Sequence, residues 1–207
     1  MQDAKRVQIR GRGVVVRGND IDTDRIIPAR FLKCITYDSL GHHAFADDRE
    51  LCRMGGKIHP FDQPAFAEAE ILVVNKNFGC GSSREHAGQA LKRWNKGIKA
   101  IIGESFAEIF FGNCLANGIP CISADTSDIE KLMALCESDP TVTIELNLDV
   151  MNAKWKGHTI MLSMPEGARK ALVDGRWDAT QDLVSHVDEV RALADKLPYS
   201  RFQQTYS

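Results

Sequence analysis

The sequence predicts an α/β fold, one domain over residues 1–207 with a parallel β-α-β-α-β core and additional antiparallel strands. Three observations predict it. Two apolar runs, "EILVVN" (70–75) and "KAIIG" (99–103), have the length of buried strands. Between them Ala87, Ala90, Leu91 and Trp94 fall at i, i+3, i+4 and i+7, one face of a helix from Ser83 to about Trp94. A second helical stretch, "ESFAEIFFGNCLANG" (104–118), is closed by Gly118 and leads into a third strand, "IPCISA" (119–124). Strand, crossover helix and parallel strand form a right-handed unit, and here two such units share their middle strand.

The remaining elements follow in chain order. "GVVVRG" (13–18) reads as a first strand closed by glycine. In "NDIDTDRIIPARFL" (19–32), three aspartates within five residues suit turns and helix caps, and Pro28 suits the first turn of a short helix over "ARFLK". Residues 34–68 carry no clear period. "SLGHHAFADDREL" has room for one or two short helices, whereas "RMGGKIHPFDQPAF" holds two glycines and two prolines. A connection of that length is expected to be a flexible substrate loop. Beyond the third strand come a helix over "SDIEKLMALCES", an antiparallel pair made by "TVTIELN" and "HTIMLSM", and a helical C-terminal tail over about 166–207.

Composition narrows the function classes. A chain of 207 residues with 43% hydrophobic and 26% charged residues can bury a real core. A net charge of −2 gives no global field for nucleic acid, so anion binding must come from local placement of arginine or backbone N–H groups. The sequence has no apolar run of about 18 residues, which argues against a membrane span. "MQDAKRVQIRGRGVVVRG" lacks a signal-peptide core, so a cytoplasmic location is expected. The six cysteines (34, 52, 80, 114, 121 and 136) contain no C-x-x-C pair and no ferredoxin or zinc spacing. They are expected to be free thiols, with no metal bound by this chain.

The chemistry concentrates in "NFGCGSSREHAG" (77–88). Ser82-Ser83-Arg84-Glu85 has the S-x-x-E form of a capping box, which would begin the helix there. Gly79 and Gly81 allow positive φ or close approach of a ligand. First-turn N–H groups have no partner within the helix and lie at its positive end, so the corner is a ready anion site. Arg84 adds a bidentate grip suited to a carboxylate. A capping box alone is also a common helix start. The doubled serine, the adjoining arginine and the position at the carboxyl end of a parallel strand favour a binding role. Rival chemistries fit less well: a phosphate-cradling loop needs an absent lysine, "GCGSSRE" does not match the nucleophile elbow, and a Cys80–His86 thiol pair has no third orienting group.

Together with "DIDTDRIIPARFLK" and "ESFAEIFFGNCLANGIP", the string "NFGCGSSREHA" resembles the small subunits of the 3-isopropylmalate dehydratases, the detached swivelling β/β/α domain of the aconitase family. The resemblance runs from about residue 11 to residue 125 and continues weakly to the C-terminus. It implies a hydro-lyase active only with a separate large subunit, as a heterodimer or heterotetramer. That large subunit carries a 4Fe-4S cluster, and this chain binds no cofactor. By position, Ser82 matches the family's catalytic serine, Ser83 and Arg84 match residues that bind a substrate carboxylate, and Asp24 is a supporting residue that orients Arg84 or the loop. The implied reaction interconverts 2-isopropylmalate and 3-isopropylmalate by dehydration and rehydration in leucine biosynthesis.

One departure from the family is Gly88, where proline is common; glycine lowers helix stability modestly. Substrate choice is expected to lie within "FLKCITYDSLGHHAF". Leu32, Ile35 and Leu40 there suit an isopropyl group, whereas Lys33, His42 and His43 suit a further carboxylate. Homoaconitate, citraconate or methylmalate, and methylcitrate are therefore alternative substrates among small di- and tricarboxylates. A non-catalytic dicarboxylate-binding domain is the alternative from another class.

Overall fold

The computed structural model describes residues 4–33, 36–177 and 186–197. The chain divides into two compact units, Met1–Trp177 and Asp178–Ser207. The first holds a seven-stranded sheet in the order β4-β3-β2-β1-β5-β6-β7. Its strands are β1 (Gln8–Val16), β2 (Ala69–Val74), β3 (Ala100–Gly103), β4 (Cys121–Ser123), β5 (Thr143–Asn147), β6 (Asn152–Trp155) and β7 (His158–Met161). β1 to β4 run parallel, and β1, β5, β6 and β7 are joined antiparallel. The expected parallel core and antiparallel additions are both present.

The helices of this unit are α1 (Thr23–Ile26), α2 (Ala46–Met54), α3 (Glu85–Arg93), α4 (Glu108–Ala116), α5 (Thr126–Ser138) and α6 (Glu166–Asp174). Alternation along β2 divides the core. Leu72 and Val74 pack with Leu91 and Trp94 of the α3 region and with Phe110 of α4. Ile71 and Val73 pack with Ile129, Leu132 and Met133 of α5 and with Leu172 of α6. A strand buried on both faces reads as an unbroken apolar run, which is why β2 is plain in the sequence.

Two expectations are corrected. β1 begins at Gln8 rather than Gly13, because its first half pairs with β5 and keeps Gln8 and Arg10 exposed between buried Ile9 and Gly11. Segments 141–147 and 158–164 do not pair with each other. β6 lies between them, its short polar run "NAKW" hiding half-buried alternation.

Segment 34–68 holds the short helices that "SLGHHAFADDREL" leaves room for. It contains a 3-10 turn at Leu40–His43, helix α2, and further 3-10 turns at Pro60–Asp62 and Pro64–Phe66; Cys34 and Ile35 lie outside the described residues. Each short piece supplies one or two anchors, and Leu40, Ala44, Phe45, Phe61 and Phe66 are all buried. Phe61 lies against Trp94 with ring centroids 4.0 Å apart. A Cβ on Gly41 would collide with the Arg93 carbonyl, so this backbone packs directly on the end of α3. Elements of three or four residues are too short to show a helical period.

The expected helical tail is seen as α6 and, in the second unit, α7 (Val187–Ala194), while residues 178–185 and 198–207 lie outside the described residues.

Candidate active-site corner

β2 ends at Val74, and the chain then turns through residues 75–84 before entering α3. Asn77, Gly79 and Gly81 take positive φ of 54°, 79° and 97°, so the loop doubles back tightly. Gly79 is required on two counts: its φ is left-handed, and a Cβ would enter the ring of Phe110.

Two flanking segments hold the loop. On one side, Asp20 N donates to Lys76 O at 3.0 Å, Gly79 N to Ile21 O at 2.7 Å, and Thr23 N to Cys80 O at 2.8 Å. On the other, Phe78 N donates to Ser105 O and Ala107 N to Phe78 O, which keeps residues 104–107 extended and delays α4 to Glu108. The aspartates before α1 act as the sequence suggests: Asp22 caps it, accepting from Arg25 N at 2.8 Å.

The capping box is corrected. Arg84, not Ser82, occupies the N-cap of α3, with extended φ and ψ and no side-chain cap bond, and the helix starts at Glu85 rather than Ser83. The cause is tertiary. The Thr23 hydroxyl donates to Ser82 O at 2.8 Å and holds the two serines in the loop, one turn short of the helix. Ser82 and Ser83 are exposed, and neither hydroxyl has a hydrogen-bond partner among the described residues. Arg84 donates through Nη1 to the Asp24 carboxylate. Glu85 accepts from Gln89 Nε2 at 3.0 Å and from the Tyr37 hydroxyl at 3.4 Å, so its charge is turned along the helix flank. The corner therefore presents two exposed hydroxyls next in sequence to a guanidinium held by Asp24.

Residues 5–126, more than half of the chain, match the aconitase C-terminal domain. The chain belongs to the aconitase C-terminal domain family. It is 50% identical over 196 residues to a 3-isopropylmalate dehydratase small subunit of Synechocystis, spanning 95% of this chain and 96% of that protein. A protein of the same description from Thermus thermophilus is 47% identical over 193 residues, covering 93% and 95%. Among solved structures, a 3-isopropylmalate dehydratase of Methanocaldococcus jannaschii aligns with a TM-score of 0.65 and 30% identity, over 87% of this chain and 99% of that one.

In this aconitase-type domain the four site residues drawn from the sequence, Ser82, Ser83, Arg84 and Asp24, lie together at one corner. Thr23 joins them by binding the serine loop, a contact only the fold reveals. One other expectation is not met. Leu40, one of the apolar residues expected to face a substrate, is fully buried in the core. His43 stacks on Phe31 with centroids 3.9 Å apart, and burial lowers its pKa. Cys80 lies in the loop, but burial, reinforced by Asp22 and Asp20, raises its pKa and keeps it a thiol rather than a nucleophilic thiolate. Burial pushes Cys136 up to about 12. Among the described residues no three His, Cys, Asp or Glu side chains gather as a metal site, and no helix is long and apolar enough to cross a membrane.

Proposed function

We propose that this chain is the small subunit of a 3-isopropylmalate dehydratase, a hydro-lyase of leucine biosynthesis working in the cytoplasm, and that it supplies the proton-transferring corner to a larger partner in a heterodimer or heterotetramer. The observation that carries the reading is the exposed Ser82–Ser83 pair beside Arg84, itself held by Asp24. Identity of 50% to a small subunit of that description, across nearly the whole chain, supports it.

Of the five described cysteines, all free thiols, Cys114 and Cys121 lie side by side in the core, and no group of three His, Cys, Asp or Glu forms a metal site among the described residues; on this reading an iron–sulfur cluster is assigned to the partner. When bound there, such a cluster supplies Lewis-acid assistance to the departing hydroxyl. The residues of this chain have separate tasks. Arg84 and the Ser83 hydroxyl bind a carboxylate of the diacid, the planar guanidinium fixing its orientation. Ser82 Oγ, ionised, takes the proton from the carbon next to the one losing hydroxide, leaving an alkene diacid. Return of the proton from Ser82 and of hydroxide at exchanged carbons, one water in all, gives the isomer.

An alcohol hardly ionises near neutral pH, so Ser82 needs concentrated positive potential. Arg84 and the N-terminal N–H groups of α3 supply it, most strongly once the partner covers this open corner and excludes water. The segment around Tyr37, which reaches Glu85 and packs edge-on against His86, borders the corner and is the candidate to meet the substrate's variable group.

The test mixes this chain with a cluster-bearing large subunit under anaerobic conditions. Turnover of 3-isopropylmalate is expected only with both chains present. Ser82→Ala should assemble normally and lose about 10²- to 10⁴-fold in kcat. Near-normal turnover by that variant would remove Ser82 from the role of base. Saturable diacid binding by the chain alone, without turnover in the mixture, would favour a binding domain.

A further inference from the structure

Asn75 is the first residue after β2 and is buried, with 8% exposure. A buried amide must have its polar atoms satisfied, and this one binds in three directions. Its Oδ1 accepts from Gly18 N at 2.9 Å. Its Nδ2 donates to Glu104 Oε1 at 3.0 Å and to Glu130 Oε1 at 2.9 Å. These partners orient the amide without ambiguity, since only the oxygen can face an N–H and only the nitrogen can face two carboxylates. The glutamates are themselves held: Thr126 Oγ1 donates to Glu104 Oε2 at 2.7 Å, and Arg17 Nη1 to Glu130 Oε2 at 2.7 Å.

The location gives this knot its meaning. Gly18 opens the segment 18–24, and Glu104 opens the segment 104–107; these are the two rails between which the serine loop is laced. Asn75 is bonded to the start of both. Further along, Asn19 Oδ1 accepts from Lys76 N at 3.2 Å, Asp20 Oδ1 from Asn77 Nδ2 at 2.8 Å, and Ser105 Oγ from Asn77 N at 2.9 Å. The far end of the loop is tied separately, by Thr23 to Ser82 O and by Asp24 to Arg84.

We propose that Asn75 is the positioning residue of the serine corner: by joining Gly18 and Glu104 across the root of the loop, its amide sets the register of both rails and hence where the Ser82 hydroxyl stands. The inference rests on the hydro-lyase reading above. It assigns Asn75 no contact with substrate. Aspartate at this position keeps the acceptor for Gly18 N but turns the donor into a third carboxylate facing Glu104 and Glu130, which forces the rails apart. Because the Asp24–Arg84 ion pair closes the far end of the loop, kcat, which depends on where Ser82 stands, should fall more than KM rises.

The experiment compares Asn75→Asp, Glu104→Gln and the double variant in the assembled two-chain enzyme. Glu104→Gln keeps an acceptor for Asn75 and should stay close to the wild type. Asn75→Asp should lower kcat about 10- to 100-fold with KM within about threefold, and should speed amide hydrogen exchange at Gly18 and over 76–84. In the double variant the introduced glutamine amide donates to the introduced carboxylate, reversing that bond while Glu130 still opposes it, so kcat and exchange protection should return in part. Unchanged kcat in Asn75→Asp overturns the proposal. So does a double variant that fails to recover or fails to fold, including the case in which Asn75→Asp alone does not fold. Absence of turnover in the wild-type pair would instead overturn the hydro-lyase reading, and the exchange measurements on this chain would still judge Asn75.

Discussion

Arg84 and Asp24, sixty residues apart in the chain, form an ion pair in which the guanidinium is the sheltered member: its side chain is 14% exposed against 53% for the carboxylate. The pair ties the N-cap of α3 to the first turn of α1 and so fixes the cation beside the serines. On the proposed reading, Asp24 orients Arg84 and does not itself bind the diacid. Asp24→Asn should leave Ser82 in place and loosen Arg84. We expect KM for the diacid to rise about three- to tenfold, with a smaller effect on kcat, in steady-state assays of the assembled enzyme. A larger fall in kcat than rise in KM would move Asp24 into the proton-transfer step.

Gly79 tests the corner's backbone. Any side chain there must adopt a left-handed φ and displace Phe110. Gly79→Ala should cost about 2–4 kcal/mol, read as a lower denaturant midpoint, from the strain and overpacking together. Gly88→Ala is the informative contrast. Its Cβ would meet Cys114 Sγ at 3.5 Å, ordinary contact distance, so helix propensity should leave it neutral or slightly stabilising.

His59 supplies a pH dependence with a defined sign. Its Nδ1 accepts from Phe61 N at 3.2 Å, which requires the neutral ring, and burial lowers its pKa below the ordinary 6.5. Above about pH 6.5 both folded and unfolded forms hold it neutral. As pH falls below that value the unfolded chain takes up the proton first, and stability declines until the folded pKa is passed. Thermal midpoints should therefore drop between about pH 7.5 and pH 5.5. In His59→Asn, whose side-chain oxygen can accept from the same N–H without titrating, the decline should be shallower. An unchanged slope would assign the acid sensitivity elsewhere.

The regions that were legible in the sequence share a physical basis. β2 and β3 are buried on both faces, and α3 shows its apolar face at regular spacing, so the parallel crossover was written in local composition. Ser82, Ser83 and Arg84 were conspicuous because two hydroxyls and a cation beside glycines suit few structural purposes. The half-exposed β6 and the run of short turns between residues 40 and 66 were not legible. A strand of alternating character and turns with single buried anchors carry no period long enough to detect.

By itself the sequence determined that a serine–arginine loop stands at the carboxyl end of a parallel strand, since hydrophobic runs and turn residues act over a few neighbours. Tertiary structure decided that Arg84 rather than Ser82 caps the helix, that Thr23 holds the serine loop open, and that Asn75 binds Gly18 and Glu104. Those outcomes depend on hydrogen bonds between segments 29 to 60 residues apart, whose partners become neighbours only when the sheet has formed.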